Sequence, residues 1–85
     1  MRDVGHLVHL LRNVPVRELM RALERDGFFV QRTTQTGGHI YRHADRRTTS
    51  IHYHRGNDTL DRKTLASVLR ATRWTEENLK TLGLL

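Results

Sequence analysis

His39 stands directly after two glycines in Gln35-Thr36-Gly37-Gly38-His39, and an imidazole is a side chain able to move a proton. Imidazoles ordinarily titrate near neutral pH, and general acid–base help of this kind is worth about 10²–10⁴-fold in rate. RNA needs little more, because each phosphodiester carries its own nucleophile, the neighbouring 2′-hydroxyl. A catalyst must take that proton, stabilise charge on the phosphate and let the 5′-oxygen leave. Read on chemistry alone, a histidine opening a strand is more often a surface or capping residue. His54 is the candidate for a second proton transfer, and the Gly37-Gly38 turn would let backbone approach a substrate closely.

Three more readings surround these residues. His52 and His54 share one side of a strand, and with His39 or His43 they could ligate zinc. The chain has no Cys and no nearby carboxylate to complete such a site, so no metal and no other cofactor is expected. His43 reads as a solvated strand-end residue. Arg32, Arg42, Arg46, Arg47 and Arg55 surround the histidines in sequence and are the candidates for gripping phosphate, although the Arg46-Arg47 pair reads equally as a solvated turn.

The charge agrees with a polyanionic partner. The formal net charge is +6 over 85 residues, and of fifteen basic residues only Lys63 and Lys80 are lysine. Guanidinium is a planar fork that holds phosphate at two points and stacks on bases. A basic surface on a small domain is the usual footprint of nucleic acid, with ordinary solubility charge as the alternative. Without Cys there is no disulfide framework and no thiolate chemistry. Leu7–Leu11 is apolar but short and interrupted by His9, so no membrane span or signal peptide is read, and a cytoplasmic protein is expected.

The elements that must position these residues are legible from period. Val4, Leu7, Val8 and Leu11 form a helical stripe. Pro15 suits the first turn of a second helix, whose stripe is Val16, Leu19, Met20 and Leu23 and whose stop is Gly27. Phe28–Thr34, His39–His43 and Thr48–His54 read as three strands, joined by Gln35–Gly38 with two glycines free for positive φ and by Ala44–Arg47. Thr49, Ile51 and Tyr53 are the expected core side of the third strand, and Phe28 and Phe29 are expected in the core. Tyr41 alternates with His39, yet an aromatic there could equally be buried. Asp61 is the expected cap of a helix carrying Leu65, Val68 and Leu69, with Leu60 against its start. Thr75 caps a last short helix, anchored by Trp74. This predicts an α+β domain in α-β-β-β-α order, a three-stranded antiparallel sheet covered on one face by helices and open on the other, with short helical additions at both ends. Residues 1–14 are read as an N-terminal helical extension and 15–85 as the domain. The polar side of the extension, with His6, His9 and Arg12, is free to lie against a partner protein or a second copy of the chain.

Four segments together resemble the HicA toxins of HicBA toxin–antitoxin systems. They are Glu18–Leu23 with Asp26-Gly27-Phe28, then Gln35–Ile40, then Ile51-His52-Tyr53-His54, then Leu60–Leu69. The similarity covers about residues 15–75 in order and register. It implies a fold like double-stranded RNA-binding domains, a messenger-RNA endonuclease dependent on His39, and a HicB-like antitoxin as partner. Gly38 departs from the family's usual Ser, His52 from its usual Pro, and Lys63 from a frequent Gly. The alternative function is a non-catalytic RNA-binding module using the same sheet and loops. A homo-oligomer and a heteromeric toxin–antitoxin complex are the two assemblies considered.

Overall fold

Each apolar stripe becomes a helix that buries it. The computed structural model describes residues 4–85; residues 1–3 of the N-terminal extension lie outside the described residues. Helix α1 (Val4–Leu11) buries Leu7, Val8 and Leu11, and α2 (Val16–Asp26) buries Val16, Leu19, Ala22 and Leu23. Pro15 sits one position earlier than expected, as the extended N-cap of α2, where its fixed φ and missing N–H cost nothing. Gly27 ends α2 at φ +103° in the left-handed region, returning its N–H to the last turn. A Cβ at Gly27 would stand 2.8 Å from His43 Nε2, so glycine is required there by space as well as by φ.

The sheet is β1 (Phe29–Thr33), β2 (Gly38–Arg42) and β3 (Thr48–His52), antiparallel in sequence order. The order helix, three strands, helix makes this an α+β domain, as expected. The first and third strands are shorter than the sequence suggests, lacking Phe28 and Thr34 and lacking Tyr53 and His54, while the second keeps its five residues but starts one position earlier, at Gly38. Register places Tyr41 opposite Thr49 and His39 opposite Ile51, so these four share one face. Tyr41, Thr49 and Ile51 are buried there under the helices. Tyr41 is therefore the core aromatic of the middle strand. Arg42 and Ile40 share the opposite face, resolving the broken alternation of this strand in favour of a solvated Arg42.

Strand β1 departs from expectation. A bulge at Gln31 breaks its register between Val30 and Arg32, and all five of its residues are exposed. Phe28, just before the strand, is the core residue, whereas Phe29 is 51% exposed. The helices thus cover β2 and β3 and leave β1 overhanging.

Helix α3 (Arg62–Thr72) packs on β3 and on α1, and is capped by the Asp61 carboxylate accepting the Thr64 N–H at 2.7 Å. That bond and Lys63 hold the Asp61 carboxyl below its ordinary range. Helix α4 (Glu76–Thr81) starts with a reciprocal capping box between Thr75 and Asn78. Trp74 is buried, and its indole N–H donates to Asp26 Oδ2 at 2.9 Å, tying the α3–α4 connection to the end of α2.

Arg47 and His43, read from sequence as surface residues, join this tie. The Arg47 guanidinium donates to Asp26 Oδ2 at 3.0 Å, to Asp45 Oδ2 at 2.7 Å and to the Thr72 carbonyl at 2.6 Å, and lies over the Phe28 ring. His43 Nε2 donates to the Asp26 carbonyl at 2.7 Å, with its ring edge-on to Phe28. Both side chains are only 19% exposed. A guanidinium with three partners inside the fold is a structural clamp.

Two outcomes follow. Arg47→Ala leaves the partly buried Asp26 carboxylate and the Thr72 carbonyl short of a donor and should cost about 2 kcal/mol, read as a lower urea midpoint at unchanged slope. Burial, then the charge of Glu24 and then Tyr53, push the Tyr41 phenol up from 10.0 to about 12. Its neutral form is favoured by the fold, so this contribution is complete below pH about 10 and is lost as pH rises through about 12. Alkaline unfolding should show that loss, and Tyr41→Phe should lack it.

Candidate active site at the glycine hairpin

The β1–β2 connection closes tightly. Thr34 donates its N–H to the Gly38 carbonyl at 2.9 Å, and Gly37 adopts φ +91°. A side chain at Gly37 would be strained in φ and would place Cβ 2.7 Å from the Tyr53 carbonyl oxygen. Of the two glycines expected to use positive φ, only Gly37 does so. Gly38 is closely approached instead: a Cβ there would lie 2.8 Å from Thr34 Oγ1, which accepts the Gly38 N–H at 2.9 Å. A serine here would oblige the Thr34 side chain to turn, and glycine leaves that bond in place.

The conformation of Gly37 aims its carbonyl at two donors. One is the Tyr53 N–H at 3.3 Å, and the other is His39 Nδ1 at 3.2 Å. A carbonyl only accepts, so Nδ1 carries the hydrogen and the neutral ring keeps its lone pair on Nε2. The Tyr53 ring stacks on the imidazole with centroids 4.8 Å apart and planes 24° from parallel. His39 is partly exposed, at the margin of the helix-covered face. A ring held at one nitrogen and on one face, with the other nitrogen basic, is arranged to accept a proton.

The other histidines divide around the turn. His54 Nδ1 lies 3.9 Å from the position a Gly37 Cβ would take, so His39 borders Gly37 at its carbonyl and His54 at its α-carbon. His52 registers with Gly38 and therefore points to the open face, away from His39; its ring meets His54 edge-on at 5.7 Å and its Nε2 lies 3.3 Å from Thr36 Oγ1. Among the described residues, no group of three or more His, Cys, Asp or Glu is arranged to hold a metal ion. Tyr53 was legible only as a core residue. Its contact with His39 follows from the register, since it continues the Ile51 side of β3 opposite His39.

The arginines do not converge on His39. Arg32 and Arg42 are exposed on the open face, with Arg32 paired to Ile40 and Arg42 to Phe29 and Thr48. Arg42 is three residues from His39, about 10 Å along a strand. Arg46 lies further still, exposed in the β2–β3 turn at φ +80°. Arg47 is engaged internally. Arg55 is exposed in the loop after β3, its N–H held by Asp58 at 3.0 Å, beside the start of α2, where Arg17 donates its N–H to the Gly56 carbonyl.

The fold and the hairpin together define a small α+β domain that presents one oriented histidine on a glycine turn. The family model described as the HicA toxin of bacterial toxin–antitoxin systems matches residues 16–74. That span is well over half the chain and includes α2, the whole sheet and α3. The chain belongs to the HicA toxin family, and with it to the toxins that pair with an antitoxin. Comparison with curated proteins returns no match. No helix among the described residues is long and apolar enough to cross a membrane.

The hydrogen bonds assign opposite tautomers to two histidines. Nitrogen-15 correlation spectra at a pH where both rings are neutral should show the hydrogen on Nδ1 of His39 and on Nε2 of His43. Gly37→Ala should remove the His39 preference and leave that of His43 in place.

Proposed function

We propose that the chain is an endoribonuclease acting on messenger RNA without a metal ion, with His39 as general base. The observation that carries this reading is the bond from His39 Nδ1 to the Gly37 carbonyl, which leaves Nε2 as the basic nitrogen. In the proposed step Nε2 takes the proton of a ribose 2′-hydroxyl and the 2′-oxygen bonds to phosphorus. The bond from phosphorus to the 5′-oxygen breaks, and that oxygen takes a proton. The products are a 2′,3′-cyclic phosphate and a 5′-hydroxyl. In-line displacement needs its base and acid on different sides of the phosphorus, and His54, bordering Gly37 at its other atom, is the proposed donor. Arg32, Arg42, Arg46 and Arg55 are the proposed phosphate contacts, and Arg47 leaves that set because the fold already holds it. A HicB-like antitoxin is the proposed inhibitor, and the cytoplasm, where transcripts are translated, the proposed place of action.

A second reading, RNA binding without cleavage, draws on the exposed Phe29 beside Arg32 and Arg42 on the open face, where an aromatic ring and guanidinium groups suit stacked bases. The test is cleavage of an end-labelled transcript in EDTA. His39→Ala should lower the rate about 10²–10⁴-fold and leave RNA affinity nearly unchanged; His54→Ala should cost less. A 2′-deoxy residue at the scissile position should block wild-type cleavage. Cleavage undiminished in His39→Ala would refute the assignment. RNA binding with no cleavage by the wild-type chain would establish the second reading.

A further inference from the structure

The groove between α1 and α3 has a chemistry unlike the hairpin end. Its volume is about 610 Å³, and its floor is apolar: Val8, Leu60, Leu65 and Ala66, with Val4 at one edge. Its rim carries Arg12, Arg62 and Arg70, together with His9, and no acidic residue lines it among the described residues. These three guanidinium groups are exposed and make no ion pair or hydrogen bond with the described residues, in contrast to Arg47. Four of the ten lining residues come from α1 and a fifth, Arg12, directly follows it, all outside the span matched by the family model.

We infer that this groove docks an acidic amphipathic helix of a partner protein. From Arg62 to Arg70 the α3 wall runs about 12 Å, two helical turns. Such a length accommodates apolar anchors at i, i+3, i+4 and i+7, and the guanidinium groups at its borders match carboxylates flanking that stripe. RNA suits the groove less well, because phosphates and riboses bring nothing apolar to set against Val4 and Ala66, the apolar lining residues that are only partly buried. A second copy of the chain brings another +6 of charge to a rim already basic. The inference is independent of cleavage by His39, which lies on different elements.

The test uses the full chain and a fluorescein-labelled helical peptide of about 15 residues with Leu at i, i+3, i+4 and i+7 and Glu at the flanking positions. The acidic peptide should raise its anisotropy on binding and shift the resonances of Val8, Leu65 and Ala66. Charge reversal of the exposed pair, Arg62→Glu with Arg70→Glu, should weaken binding at least about tenfold, with unchanged circular dichroism. His39→Ala should bind the peptide as the wild type does. A matched peptide with Lys in place of Glu should not bind. The inference is overturned if the acidic peptide fails to bind, if charge reversal leaves its affinity unchanged, or if its shifts map elsewhere. It is equally overturned if a short RNA displaces the peptide from these residues, if dodecyl phosphate occupies the groove and the peptide does not, or if sedimentation shows the groove closed by a second copy.

Discussion

The backbone of Gly37 is the constraint on which the hairpin end depends. One positive φ turns one carbonyl so that it serves both the Tyr53 N–H and the His39 ring. The first bond draws the segment after β3 toward the turn, and the second chooses the nitrogen on which His39 carries its hydrogen. A single peptide unit thus couples the closure of the sheet to the orientation of the ring. A residue with a Cβ would meet both a strained φ and the Tyr53 carbonyl, so the coupling needs glycine.

The opposite end of the sheet is organised by a carboxylate. Asp26 closes α2, and its side chain and carbonyl together receive Trp74, Arg47 and His43. These partners come from the α3–α4 connection, from the start of β3 and from the end of β2. The Phe28 ring sits among them, against both His43 and Arg47. In a domain with so small a core, a charged network at one end holds elements that apolar packing alone would join less specifically. The two ends therefore differ in kind: one is locked by a partly buried charge network, the other is shaped by backbone around a ring with an open edge.

Much of this was legible in the sequence. The helical stripes, the cap at Asp61, the stop at Gly27 and the alternation of Thr49 and Ile51 each rest on local periodicity, and each appears where expected. What escaped reading is long-range. Arg47 and His43 lie in and beside a turn, where charged residues are ordinarily solvated, and only tertiary contact with Asp26 reveals their burial. Phe29 looked like core because aromatics in strands usually are, yet its register with Arg42 puts it on the face that no helix covers. At the candidate site, His39 was legible from its glycine neighbours and from family resemblance, while the Tyr53 stack needed the strand register. The bond from the Gly38 N–H to the Thr34 hydroxyl was invisible, since it joins residues four apart across the turn.

Strand β1 has an unusual standing in this fold. Neither of its faces is buried, so it is held almost wholly by its ladder with β2 and contributes little apolar burial of its own. Such a strand sits at the low end of local stability and exchanges its amide hydrogens early. Its outer row of backbone groups also invites another strand, and the Gln31 bulge with Arg32 beside it makes that row uneven and charged. The same irregularity that disfavours pairing with another strand at this edge lies beside the hairpin that carries His39.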